Sequence, residues 1–70
     1  MMKKIKIKVN GKVKTVLNNS KLSDLLKNLN IPLKKVAIEL NQEIIDKKKS
    51  SNIQLKKDDK IEIVHFIGGG

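Results

Sequence analysis

The chain changes its hydrophobic period from two to nearly four within its first thirty residues, and that change constrains the fold more than any other feature. Ile5, Ile7 and Val9 alternate with Lys4, Lys6 and Lys8, the pattern of a strand with one buried and one wet face. Asn10 and Gly11 follow, a pair that tolerates the positive φ values of a two-residue hairpin loop. Val13, Thr15 and Leu17 resume the alternation inward, with Lys12 and Lys14 expected to face water. Leu22, Leu25, Leu26 and Leu29 then fall at i, i+3, i+4 and i+7, one stripe of a helix of about ten residues. Ser20 is the expected N-cap, Asp24 lies at the positive end of the dipole, and Asn30 and Pro32 mark the exit. So short a helix does not hold alone in water, so its leucines must dock on a sheet.

The second half returns to strands. Val36, Ile38 and Leu40 alternate with Ala37 and Glu39, and Asn41 and Gln42 turn the chain. Glu43 to Asp46 read as a short extended piece ending in Lys47, Lys48 and Lys49, whose charge would protect a sheet edge. Ser50, Ser51 and Asn52 read as a loop, Ile53 and Leu55 return to the core, and Lys57, Asp58 and Asp59 form a polar turn. In the last strand Ile61 and Ile63 point inward and Glu62, Val64 and Phe66 outward, which leaves two apolar side chains on the wet face. These elements predict an α+β fold, a mixed sheet of four to five strands with one helix across a single face. The crossing helix allows the first strand to run parallel to a centrally placed last strand.

Length and composition exclude several classes. Seventy residues make one domain with a modest core, in which a deep catalytic cleft is not expected. The absence of cysteine removes disulfides and thiolate chemistry from this chain. No apolar run approaches the roughly 20 residues of a membrane helix, and Met1, Met2, Lys3 and Lys4 lead straight into alternating residues, so a soluble, cytoplasmic protein is expected. Sixteen Lys plus Arg against seven Asp plus Glu give a net charge of +9, which raises the alternative of a small basic nucleic-acid-binding module. The lysines are dispersed, many as outward members of strands, and Phe66 is the only aromatic residue. A stacking surface for bases is therefore lacking.

The remaining candidates for chemistry narrow to the end of the chain. His65 is the only histidine, and no cysteine or carboxylate grouping around it suggests a metal site or a catalytic triad. Asp58 and Asp59 read as turn residues, and Gly68 to Gly70 lack the lysine and hydroxyl that follow a phosphate-binding loop. Three glycines in a row do not help a strand pack, but a tail without Cβ atoms can thread a slot too narrow for any side chain. The carboxylate of Gly70 is thus the leading candidate reactive group, with a frayed end as the plain alternative. A domain over 1–67 and a glycine tail over 68–70 are expected.

The Asn10-Gly11 turn, the leucine helix, Val36-Ala37-Ile38-Glu39-Leu40-Asn41, Asp59-Lys60-Ile61-Glu62-Ile63-Val64 and the ending His65-Phe66-Ile67-Gly68-Gly69-Gly70 together resemble the thiamine-biosynthesis sulfur carriers, the ThiS family. The resemblance spans essentially the whole chain and implies the ubiquitin-like β-grasp. Gln42 departs from the glycine often found after the asparagine in this family. The family's role, carried over, makes the chain a protein co-substrate and not an enzyme. An E1-like adenylyltransferase would use ATP to adenylate Gly70, a persulfide sulfur donor would convert it to a thiocarboxylate, and thiazole synthase would accept the sulfur. Gly69 and Gly70 match the family's diglycine and Gly68 an additional glycine. Val64, His65, Phe66 and Ile67 become candidate partner contacts beside the tail. No stably bound cofactor is implied, since ATP belongs to the adenylyltransferase, and the free protein is expected to be a monomer. A carrier for molybdopterin synthesis or tRNA thiolation is the related alternative, weakened by the lack of a proline pair ahead of the diglycine. For a plastid-encoded member the compartment would be the stroma.

Overall fold

In the computed structural model, which describes residues 3–65, the strands β1 (Lys4–Val9), β2 (Lys12–Leu17), β3 (Val36–Leu40), β4 (Glu43–Ile44) and β5 (Lys60–His65) form one sheet in the order β2-β1-β5-β3-β4. The helix α1 (Leu22–Asn28) supplies Leu22, Leu25 and Leu26 to a core completed by Ile7, Val36, Ile38, Leu55, Ile61 and Ile63. β1 runs parallel to β5 through Lys8 opposite Lys60 and Val9 opposite Ile61, and β3 runs antiparallel to β5 along its whole length. The last strand is therefore central, as the crossover argument predicts.

The first hairpin closes on Asn10 and Gly11, both at positive φ (50° and 82°), and its pairing corrects the expected facing of β2. With a two-residue loop Val9 lies opposite Lys12, Ile7 opposite Lys14 and Ile5 opposite Val16. Opposite residues share a face, so Lys12, Lys14 and Val16 join the core side while Val13 and Leu17 lie exposed on the outer face. β2 is an edge strand, where inward-pointing lysines discourage pairing with another chain and their aliphatic stems can lie on apolar surface.

The helix starts one residue later than expected. Lys21 is the N-cap and carries no side-chain cap, and the Asp24 carboxylate accepts the Lys21 N–H at 2.9 Å. Ser20 is committed elsewhere: its N–H donates to the Leu17 carbonyl and its own carbonyl accepts from Leu55 N–H at 2.9 Å. At the other end Asn30 adopts φ 54°, Ile31 N–H bonds to the Leu26 carbonyl and Asn30 N–H to the Lys27 carbonyl. This is a Schellman closure with asparagine in the left-handed position, as Asn30 and Pro32 suggested.

Lys47 to Asn52 form a 3₁₀ segment, where an edge-protecting charge run and a loop were expected. Asp46 caps it by accepting Lys48 N–H, Ser50 is buried, and the Lys47 ammonium donates to the Leu33 and Val36 carbonyls. The lysine thus ties this segment to the start of β3. Asp59 is buried in the turn before β5, where Oδ2 accepts Lys56 N–H at 2.7 Å and Oδ1 accepts from Asn41 Nδ2 at 3.0 Å. The polar-turn reading of Asp58 and Asp59 stands, with Asp58 at φ 68°.

Candidate functional site

β5 is the last described element and precedes the glycine tail in sequence. Its inner residues Ile61 and Ile63 are buried, and its outer residue Val64 remains 54% exposed. The strand therefore anchors through one face and leaves the other available. Cross-strand pairing puts Val64 opposite Ala37, and Glu62 opposite Glu39, which in turn lies opposite Ile44. The outer face over β5, β3 and β4 thus combines Val64, Ala37 and the exposed Ile44 with a directly facing pair of glutamates. Like charges placed opposite each other on a sheet are unfavourable in the free protein. The β1 and β2 side of the same face carries Lys4, Lys6 and Lys8 with Val13 and Leu17, so the face is divided by charge.

His65 is exposed and ends β5 opposite Val36. It lies on the helix side of the sheet, at an open groove of about 470 Å³ with Val9, Leu29, Ile31 and Ile63 on its lining and Lys12 and Lys14 among its polar neighbours. Phe66, Ile67, Gly68, Gly69 and Gly70 lie outside the described residues. Among the described residues no group of three His, Cys, Asp or Glu side chains could hold a metal ion, and no helix is long and apolar enough to cross a membrane.

Two features beside β5 escaped the sequence reading. The Asn10 side chain, read only as a turn former, accepts Ile63 N–H through Oδ1 at 2.7 Å and donates to the Ile63 carbonyl through Nδ2 at 3.3 Å. Asn41 does similar work at the strand's beginning, accepting Lys60 N–H through Oδ1 at 2.9 Å while its own N–H donates to the Lys60 carbonyl. Both asparagines sit at positive φ in tight turns; the Asn10 carboxamide stands in for a whole peptide group toward β5, whereas that of Asn41 gives β5 its Oδ1 and turns its Nδ2 to the Asp59 carboxylate. The preference for Asn at such turns is visible in sequence, but its distant partner is not.

A hairpin, a single helix across one face of a mixed sheet and a central final strand parallel to the first define a ubiquitin-like β-grasp protein. Residues 7–70 match the model of the ThiS family. The chain belongs to that family. It is 42% identical over 65 residues to the sulfur carrier protein ThiS of Bacillus subtilis, covering 91% of this chain and 98% of that one. It is also 38% identical over 66 residues to a thiazole synthase of Magnetococcus marinus, covering 94% of this chain but 20% of that protein. The chain therefore spans about a fifth of the length of that relative. A crystal structure of the thiamine biosynthesis protein ThiS from Geobacter metallireducens superposes with a TM-score of 0.81 at 30% identity, covering 94% of this chain and all of the other.

Proposed function

We propose that the chain is a sulfur carrier of thiamine biosynthesis whose Gly70 carboxylate is adenylated, converted to a thiocarboxylate and used by thiazole synthase. The observation that carries this reading is that the family match extends to residue 70 and so includes the glycine tail, Gly68 to Gly70. A carboxylate is a poor electrophile. Attack of its oxygen on the α-phosphorus of ATP releases pyrophosphate and gives an acyl adenylate, in which AMP is a good leaving group. The terminal sulfur of a persulfide donor then displaces AMP to give an acyl disulfide. Cleavage of its S–S bond by a thiol frees the thiocarboxylate and leaves a disulfide on the donor side.

The chain's own contribution is presentation. A tail without Cβ atoms can enter a narrow channel to a buried nucleotide and afterwards a second buried site. Val64 and His65, both exposed, are the described members of the proposed contact set, which also takes in Phe66 and Ile67; Val64 lies on the outer face of β5 and His65 on its helix side. The outer face around Val64 and Ile44 extends it, and the apolar groups flanking an acidic pair suit a partner surface that offers cations among apolar side chains. A segment similar to this chain within thiazole synthases supports that enzyme as the sulfur acceptor.

Intact-mass measurement tests the reading. Incubation with an E1-like adenylyltransferase and ATP should add AMP, and a persulfide donor with thiol should replace one terminal oxygen by sulfur. Deleting Gly70 draws the carboxylate back by about 3.3 Å, and Gly69→Val adds a branched Cβ at unchanged reach; either should nearly abolish both products. Normal yields from both variants would refute the carrier reading in this form.

A further inference from the structure

β1 supports the central strand only briefly. Lys8 N–H donates to the Asp59 carbonyl and Asn10 N–H to the Ile61 carbonyl, each at 2.9 Å, after which the chain turns away at Asn10 and Gly11. β5 runs on to His65. On the β1 side the next backbone groups of β5 are those of Ile63, and these meet the Asn10 carboxamide, with its acceptor on the N–H at 2.7 Å and its donor on the carbonyl at 3.3 Å. A carboxamide offers the same donor and acceptor pair as a peptide group, so one side chain prolongs the parallel ladder by a step.

The choice of residue is informative. Glycine would satisfy φ 50° at this position with no latch, and aspartate would accept from Ile63 N–H but repel its carbonyl. Only the amide answers both groups. The latch also sits two residues before the end of β5, where β3 alone continues the pairing through Val36 opposite His65. Any freedom of β5 about β3 at this point moves Val64 and His65, the last described residues of the strand.

We propose that Asn10 is a positioning residue for adenylation: by holding Ile63 it fixes the direction in which β5 delivers the chain toward Gly70. This role rests on the carrier reading. It separates two parts of the tail's task, with the outer face giving affinity and the Asn10 latch giving alignment. Alignment is costly to lose, since a displacement of about 1 Å between reacting groups can slow a reaction roughly a hundredfold.

The test compares wild type, Asn10→Gly and Asn10→Asp, at a temperature where circular dichroism shows each variant folded. The first keeps the turn and removes the latch, and the second keeps the acceptor and removes the donor. Amide exchange at Ile63 and steady-state adenylation are measured on all three. For Asn10→Gly, exchange at Ile63 should accelerate about tenfold or more and kcat should fall about tenfold, with KM changed by less than about threefold because no docking residue is replaced and β3 still pairs with β5. Asn10→Asp should lie between it and wild type, and carries the same comparison should the glycine variant not fold. A purely structural asparagine would lower the melting temperature and leave kcat alone. Folded variants whose kcat stays within about twofold of wild type overturn the role of Asn10 while leaving the carrier reading intact. A wild-type chain that takes no AMP overturns both.

Discussion

Truncating two leucines by the same three carbon atoms separates the core from the surface and tests the facing of β2. Leu25 is 1% exposed on α1, and Leu17 is 40% exposed at the end of β2, where the alternation alone would have turned it inward. Leu25→Ala removes a fully buried side chain from a core whose surroundings cannot all collapse onto the gap, and comparable truncations cost about 2.7 to 5 kcal/mol. Leu17→Ala loses only the shielded part of its transfer energy and leaves no closed cavity, so about 1 kcal/mol is expected. The difference matters because a chain of 70 residues is stabilised by only on the order of 3 to 10 kcal/mol in total.

Urea unfolding followed by far-ultraviolet circular dichroism gives both values from one assay, since the midpoint moves while the slope stays near its wild-type value. In a thermal scan each kcal/mol is worth about 4 to 8 °C for a domain of this size, so Leu25→Ala should melt roughly 12 °C or more below wild type and Leu17→Ala within about 8 °C of it. A Leu17 variant that lost as much as the Leu25 variant would put Leu17 in the core and refute the pairing of Val9 with Lys12. A loss under about 0.5 kcal/mol at Leu25 would remove α1 from the core altogether.

Gln42 occupies φ 74°, a left-handed conformation that costs a residue with a Cβ about 1 kcal/mol, so Gln42→Gly should raise stability by about 0.5 to 1 kcal/mol in urea titration; a loss would mean that the Gln42 side chain makes a compensating contact. Val64→Asp should cost about 1 kcal/mol in urea titration, since the site is exposed but the change adds a charge beside Glu62 and Glu39, and should weaken binding to the adenylyltransferase by about 2 kcal/mol, some thirtyfold, in calorimetry; equal affinity would move the docking face away from β5.

What could be read from the sequence was whatever depends on neighbours along the chain. The Asn10-Gly11 turn, the leucine stripe, the facing of β1, of β3 and of β5 as far as His65, and the left-handed exit at Asn30 each follow from local stereochemistry and the period of burial, and the structure has them, although the helix runs for seven residues where about ten are expected and Leu29 is its C-cap. β2 departs from the alternation: the β-branched or apolar Val13, Thr15 and Leu17 suggest a buried face, yet all three are exposed. The hairpin loop decides otherwise: two loop residues force 9 against 12, and parity then carries through the strand. That arithmetic was available from the turn, and it outranks hydrophobicity at an edge where lysine stems can take the inner side. The 3₁₀ segment from Lys47 to Asn52 was beyond reach for a different reason, since it depends on the Lys47 ammonium finding the carbonyls of Leu33 and Val36.

The candidate site divides along the same line. An exposed Val64 follows from alternation in β5, and the glycines from composition, whereas the contact between Asn10 and Ile63 joins residues 53 apart. No local rule pairs them; only the parallel placement of β1 beside β5 does. Asn10 and Asn41 thereby serve two levels at once, with a backbone that makes a turn and a side chain that completes a strand the turn would otherwise abandon. A residue under both demands is more restricted than either demand alone would make it. Asparagine is the side chain that tolerates positive φ and still offers a peptide-like donor and acceptor, and each stands where a neighbouring turn must grip the strand that leads to the chain's end.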